Sequence, residues 1–274
     1  MHIIVVTGGN RGLGAAIAQA LSNQHTHIIL ACRDVQHGRK VAQQLAGSSE
    51  VMALDLCSES SIDSFTKHLQ QRYSRIDVLV NNAGLFDHSG QTVPFAGQNL
   101  SNVWVTNTFG PYLLTKKLAP LLAKASQPKC VFMCSVAGHH KQLNLATVTG
   151  QPSSEIYGQS KYADLLLTAL IAEKFPRWQV LAAHPGYTNT AIFNGHTAGW
   201  KRQLIRYATN LFAQSPEKGA RSAVVASKQN FPTGSYLGPR YIKELYGPPC
   251  VRQLSNYYHM EDVARLETFL ESMN

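Results

Sequence analysis

The sequence predicts an α/β fold, a parallel sheet wound doubly with helices on both faces. Short apolar, β-branched runs alternate with longer amphipathic stretches from the start of the chain, the pattern of strand–helix–strand units. A glycine-rich turn directly follows the first run. The chain has 274 residues, 44% hydrophobic and 15% charged, enough to bury one large core without disulfides or metals.

Residues 2–7 read as a buried strand, followed by the glycine turn and a helix over 13–22. A second strand covers 27–32 and a polar-faced helix 34–45, with Asp34 placed as its N-cap. The third strand is 50–54, after which Ser58 caps a helix reaching about Tyr73. The fourth strand is 76–81. A long helix over 99–122 comes next, interrupted or bent around Gly110-Pro111 because proline cannot donate the helical hydrogen bond. Strand five is 129–134, a helix covers 154–175, and strand six is 179–183. Beyond His184 the pattern loosens into an amphipathic stretch at 200–212, a helix at 215–227, a Gly/Pro-rich segment and a closing helix from about Met260. With no repeat or linker in view, a single domain over 1–274 is expected. Right-handed crossovers make it a Rossmann-type sheet in the order 3-2-1-4-5-6-7, its switch point beside the first strand.

Lys and Arg number 25 against 16 Asp and Glu, a formal charge of +9. The basic residues are scattered without a run or a nucleic-acid-binding module, so no nucleic-acid partner is expected. A positive field suits a phosphate-rich ligand instead. The five cysteines form no CxxC pair and fit reduced, packed thiols. The first strand begins at His2 and no apolar run matches a bilayer's thickness. Cytoplasmic placement, with at most peripheral membrane contact, is the expectation.

The chemistry-bearing residues begin at Thr7-Gly8-Gly9-Asn10-Arg11-Gly12-Leu13-Gly14. Glycines at 8, 12 and 14 let the backbone turn tightly and approach a pyrophosphate lying at the helix N-terminus. No P-loop Lys-Ser/Thr pair follows. Tyr157 and Lys161, four apart on a helix, share one face about a turn apart. The ammonium favours the phenolate, and such a tyrosine can protonate a carbonyl oxygen as hydride arrives or deprotonate an alcohol in reverse. Ser135, at a strand's carboxyl end, can donate a hydrogen bond to the same oxygen.

The T-G-x-x-x-G-x-G spacing resembles the short-chain dehydrogenase/reductase family, and further motifs match it in order over roughly residues 1–190. Asn81-Asn82-Ala83-Gly84 is similar to the family's N-N-A-G, Tyr157 and Lys161 to its Y-x-x-x-K, and Pro185-Gly186 to the turn after its sixth strand. The resemblance implies a catalytic set of Asn107, Ser135, Tyr157 and Lys161. In it, Lys161 holds the nicotinamide ribose while Asn107 fixes a helix bend and a relay water. It also implies cofactor contacts at Thr7, Gly8, Asn10, Arg11, Gly12, Leu13, Gly14, Asn82, Ala83, Gly84, Pro185, Gly186 and Thr188. Thr190 matches the threonine that touches the nicotinamide carboxamide.

Cofactor choice is read after the second strand, where NAD enzymes place an acid and NADP enzymes a basic residue. Cys32 takes the acid's place and Arg33 follows it, with Arg11 in reach of the same 2′-phosphate, so NADP (NADPH) is the cofactor expected. The alternative makes both arginines ordinary surface charges. Asp55 and Leu56, after the third strand, are expected to border the adenine, the alternative being a loop aspartate with no role.

His88, His139 and His140 lack a ligand-spaced partner motif, so no metal is expected and the three read as loop residues at the pocket entrance. In the 200–212 stretch, Trp200, Leu204, Ile205, Leu211 and Phe212 interleave with Lys201, Arg202 and Arg206. It reads either as part of a substrate lid at about 190–214 or as a membrane-surface contact. Both imply a lipophilic substrate. Ala31-Cys32-Arg33-Asp34, the closing helix from Asp262 and the long Ser135–Tyr157 spacing resemble the retinol dehydrogenase, WW-domain oxidoreductase and protochlorophyllide reductase group. The function expected is hydride transfer between NADPH and a hydrophobic carbonyl/alcohol substrate, with a homodimer common among relatives. Reduction of a conjugated C=C bond and a non-catalytic NADP-binding sensor or scaffold are the alternatives.

Overall fold

A computed structural model describes residues 1–150, 152, 154–188 and 214–273. Thr190 and the amphipathic stretch at 200–212, with the lid expected there, lie outside the described residues.

The chain alternates β1 (His2–Thr7), α1 (Gly12–Leu21), β2 (Thr26–Cys32), α2 (Val35–Ala42), β3 (Ser48–Ala53), α3 (Glu59–Arg72) and β4 (Val78–Asn81). A hairpin of β5 (Thr92–Phe95) and β6 (Gln98–Ser101) follows. Next, α4 (Asn102–Trp104) runs through a π turn (Val105–Phe109) into α5 (Gly110–Leu122). Then come β7 (Lys129–Met133), α6 (Ile156–Lys174), β8 (Gln179–Ala183), α7 (Pro216–Lys228), β9 (Ser235–Tyr241), β10 (Tyr246–Gln253) and α8 (Met260–Glu271).

The main sheet runs β3-β2-β1-β4-β7-β8-β9-β10. Leaving the separate hairpin aside, its first seven strands are in the expected 3-2-1-4-5-6-7 order and are parallel, with β10 added antiparallel at the edge. Strand side chains alternate between two cores. Val5, Cys130, Phe132, Val180 and Ala182 meet the layer of α3, α5 and α6, whereas Ile4, Val6, Val131, Met133, Leu181 and Ala183 meet α1 and α7. Burial on both faces explains why these strands read as continuous apolar runs.

Three expectations need correcting. The helix placed from residue 99 begins at Asn102, because 98–101 pair with 92–95 across a two-residue turn in which Ala96 and Gly97 both have positive φ, 50° and 71°. The bend expected around Gly110-Pro111 is built just before that pair, as the π turn that holds Asn107; the chain is helical without a break from Asn102 to Leu122, and the wider turn precedes Pro111, whose ring nitrogen has no hydrogen to donate. Gly110 is required there for another reason: a Cβ would lie 2.4 Å from the Leu56 carbonyl. Finally, the Gly/Pro-rich tail supplies β9 and β10. Pro239 lies beyond the three residues through which β9 pairs with β8, and Pro248 and Pro249 lie on the edge strand, so no interior ladder bond is lost.

Candidate active site

Parallel strands deliver their carboxyl ends to one side of the sheet, and the motif residues lie there together. Thr7 ends β1 and is buried. Its hydroxyl donates to the Val80 carbonyl (3.3 Å) and accepts from the amides of Asn82 and Ala83, both at 2.9 Å. Asn82 Nδ2 returns a bond to the Thr7 carbonyl at 2.8 Å. These bonds lock the glycine turn to the end of β4, so the Thr7 side chain acts on the loop.

Gly8 has φ 65° and Gly12 φ 52°, and a Cβ on Gly14 would lie 2.2 Å from the Gly8 carbonyl. A Cβ on Gly12 would meet nothing within 4 Å, so the turn is open where α1 presents the unpaired amides of its first turn. Arg11 is exposed at the N-cap without a side-chain cap bond, and Asn10 and Leu13 are half-buried beside it. This cradle fits a dinucleotide's phosphates. Arg33 is exposed after the buried Cys32, while the Asp34 carboxylate is committed to capping α2, bonding the His37 amide at 3.0 Å and its ring at 2.6 Å. The Asp55 carboxylate accepts from the Cys57 amide at 2.9 Å, and Leu56 is buried in the core with its carbonyl against Gly110.

The π turn places Asn107 inward. Its Oδ1 accepts from the Leu85 amide (2.7 Å), and its Nδ2 donates to the Leu85 carbonyl (3.0 Å) and to Ser160 Oγ (2.9 Å). One side chain therefore ties the loop after β4 to α6. Gly84 lies at the junction: a Cβ there would be 3.5 Å from Asn107 Oδ1 and 3.7 Å from Lys161 Nζ.

Ser135 caps the 3₁₀ turn Val136–Gly138 through an Ala137 amide bond of 3.2 Å. Two glycines let this turn ride directly on α6. A Cβ on Gly138 would lie 2.5 Å from the Lys161 carbonyl carbon, and one on Gly158 3.1 Å from the Ala137 carbonyl oxygen. Ser135 is thereby held against the helix turn that bears Tyr157 and Lys161. Tyr157 is half-buried, with the Phe86 ring edge-on at 4.8 Å and Leu85 half-buried nearby, an apolar wall beside the phenol.

Lys161 is buried; its Nζ donates to the Met133 carbonyl (2.9 Å) and to Asp164 Oδ2 (2.8 Å). Burial pulls its pKa down, but Asp164 and Tyr157 outweigh burial and lift it above the ordinary lysine value. Asp164 is pushed up to about 6 by burial, against the pull of Lys161. Asp164, Ser160 and Thr108 are the members of this network that sequence reasoning missed. The i,i+3 spacing of Lys161 and Asp164 was the available signal.

After β8, Gly186 turns at φ 75°, where a Cβ would be 2.5 Å from the Leu245 carbonyl, and Pro185 accepts a bond from Thr188 Oγ1 at 2.9 Å. Thr188 is buried in that local turn. His139, expected at the pocket entrance, is instead half-buried, bonded to the Tyr236 hydroxyl at 3.0 Å and packed 4.4 Å from the Tyr257 ring. His88 and His140 are exposed. His184 is buried with neither ring nitrogen hydrogen-bonded among the described residues, and burial pushes its pKa down to about 4.

Residues 2–199 match the family model described as short chain dehydrogenase. The chain is 33% identical over 264 residues to Dehydrogenase/reductase SDR family member 13 of Bos taurus, covering 90% of this chain and 68% of that one. Retinol dehydrogenase 14 of Mus musculus is 29% identical over 242 residues, covering 81% and 72%. Among solved structures, a metagenomic short-chain oxidoreductase in complex with NADP is 27% identical, with a TM-score of 0.62 over 84% of this chain and 92% of that one. A glycine turn shaped to fit a dinucleotide's phosphates, a strand order of the Rossmann kind and these matches lead to one assignment. The chain belongs to the short-chain dehydrogenase/reductase family of oxidoreductases, in its retinol dehydrogenase-like group.

Proposed function

We propose that the protein is an NADPH-dependent reductase of hydrophobic aldehydes or ketones, running reversibly to the alcohol, with Tyr157 as its general acid and base. The observation that carries this is the seating of the Ser135 turn on α6, through Gly138 and Gly158, over the turn that holds Tyr157 and buried Lys161. A bound nicotinamide supplies the hydride. Ser135 donates a hydrogen bond to the substrate oxygen, and the Tyr157 phenol gives that oxygen its proton as negative charge develops. The buried Lys161 ammonium, on the same helix face one turn away, would hold the nicotinamide ribose. Asn107 keeps the π turn open and aligned with α6 for the proton's replacement. Leu85 and Phe86 form the apolar wall that receives the substrate beside the phenol.

NADP is favoured over NAD because the carboxylate nearest the end of β2, Asp34, is occupied as a helix cap while Arg33 and Arg11 are exposed. Arginine forks suit a 2′-phosphate. The NADP complex of the similar metagenomic enzyme agrees with that choice. All five cysteines are free, which suits a reducing, cytoplasmic compartment.

The test is to follow NADPH absorbance with panels of apolar aldehydes, ketones and conjugated enones, identifying the products. Alcohol products with the carbon–carbon double bond intact support the proposal. Saturated ketones from enones replace it with C=C reduction, and no turnover on any panel leaves a binding protein.

A further inference from the structure

The ammonium of Lys161 has three N–H donors. Two point into the protein, at the Met133 carbonyl and the Asp164 carboxylate. The side chains of the ion pair are only 7% and 3% exposed. The second carboxylate oxygen accepts from Thr108 Oγ1 at 3.1 Å, a hydroxyl of the π turn that also reaches the Ser160 carbonyl at 3.1 Å. The carboxylate thus joins the lysine to the same π turn that carries Asn107. One N–H is left for the side on which Gly84 and Asn107 lie.

We propose that Asp164 is a positioning residue that keeps Lys161 an ammonium in alkaline solution and aims its remaining N–H at the cofactor ribose. This rests on the assignment of Tyr157 and Lys161 above. An enclosed lysine without a counter-charge surrenders its proton more readily. Burial acts on Lys161 in that direction and Asp164 is the foremost opposing influence. Burial raises the Asp164 carboxyl, while the Lys161 ammonium and the Thr108 hydroxyl both favour its charged form, so the carboxylate is held beside the lysine as its counter-charge. The titratable groups facing the pair are Tyr157, on the same helix, and Cys134, at the end of β7. Burial raises the Cys134 thiol well above its usual range, so it stays neutral, and the π turn presents the uncharged Asn107 and Thr108.

The sign follows directly. Removing the charge lowers the lysine's pKa, so its grip on the cofactor persists below that value and is lost as pH rises through it. The experiment is an NADPH fluorescence titration of wild type, Asp164→Asn and Thr108→Val across the neutral to alkaline range. Wild type should hold a nearly constant Kd, while Asp164→Asn weakens by about tenfold toward the alkaline end, the effect of about one unit's shift. Its alcohol-oxidation rate should fall at correspondingly lower pH. Thr108→Val breaks the hydrogen bond but keeps the charge, and should follow the wild-type Kd profile; a purely structural role would move both variants alike. If Asp164→Asn does not fold, Asp164→Ser gives the same readout. A flat Kd profile in the neutral variant, or identical profiles for it and Thr108→Val, overturns the proposal. Unimpaired turnover in Tyr157→Phe would instead sink the acid–base assignment, and would leave this binding measurement as informative as before.

Discussion

Tyr157 and Lys161 are four positions apart, about one helical turn, and the face they share is bounded by Phe86 beside the phenol and by Met133 and Asp164 around the ammonium. At this scale the proposed preference for NADPH rests on single side chains. Arg33→Asp should weaken NADPH binding by at least about tenfold while changing NADH binding little, because the loss falls on a 2′-phosphate contact. Equal losses for the two cofactors in parallel fluorescence titrations would show that Arg33 is an ordinary surface charge. Fixed motif spacing made the glycine turn, Asn107, Ser135, Tyr157 and Lys161 legible in the sequence. What spacing does not reveal is how a side chain spends its hydrogen bonds. Thr7 and Thr188 sit where a cofactor contact was expected, yet the Thr7 hydroxyl is bonded to β4 and the loop after it, and the Thr188 hydroxyl to the Pro185 carbonyl of its own turn. Asp164 was hidden differently: a carboxylate one turn beyond a lysine usually means a solvated pair, and only the packing of α6 shows this one enclosed.

Elements position these residues through close backbone approaches. Gly138→Ala would place a Cβ 2.5 Å from the Lys161 carbonyl carbon, a backbone atom that cannot rotate away. The 3₁₀ turn must lift from α6, taking Ser135 with it. We expect a loss of about 1–3 kcal/mol in urea unfolding, the usual range for overpacking, and a fall in kcat larger than any rise in KM. Gly97→Ala, with nothing within 4 Å of its Cβ, should leave kcat unchanged and cost only the strain of its positive φ. The long buried strands were readable because both faces are covered. The β5–β6 hairpin was not, since its strands are four residues each and its turn is Ala96-Gly97 rather than Asn-Gly or Asp-Gly. Likewise β9 and β10 were masked by prolines that an edge position tolerates. The π turn was signalled by the Gly110-Pro111 pair that follows it and by the helix bend that the family resemblance places at Asn107, but neither showed that the bend would take the form of a wider helical turn.

For the molecule as a whole, the sheet order was legible from strand–helix alternation and the handedness of crossovers, and the order places every motif at one end of the sheet. The same enclosure has a consequence for stability. His184, at the end of β8, titrates at about 4 in the fold and near 6.5 when unfolded, so the unfolded chain takes up a proton that the folded one refuses. Stability is therefore complete above pH 6.5 and declines as pH falls toward 4, by about 3 kcal/mol from this one group. Thermal melts of wild type and His184→Leu should diverge in slope over that window; parallel curves would show that His184 accepts its proton in place. The catalytic account is tested most directly by single-turnover hydride transfer from NADPH in Tyr157→Phe, with NADPH affinity measured on the same sample. Loss of about three orders of magnitude or more in the transfer rate at nearly unchanged affinity is the result expected of a missing proton donor. Transfer at the wild-type rate, with the cofactor equally well bound, would contradict it.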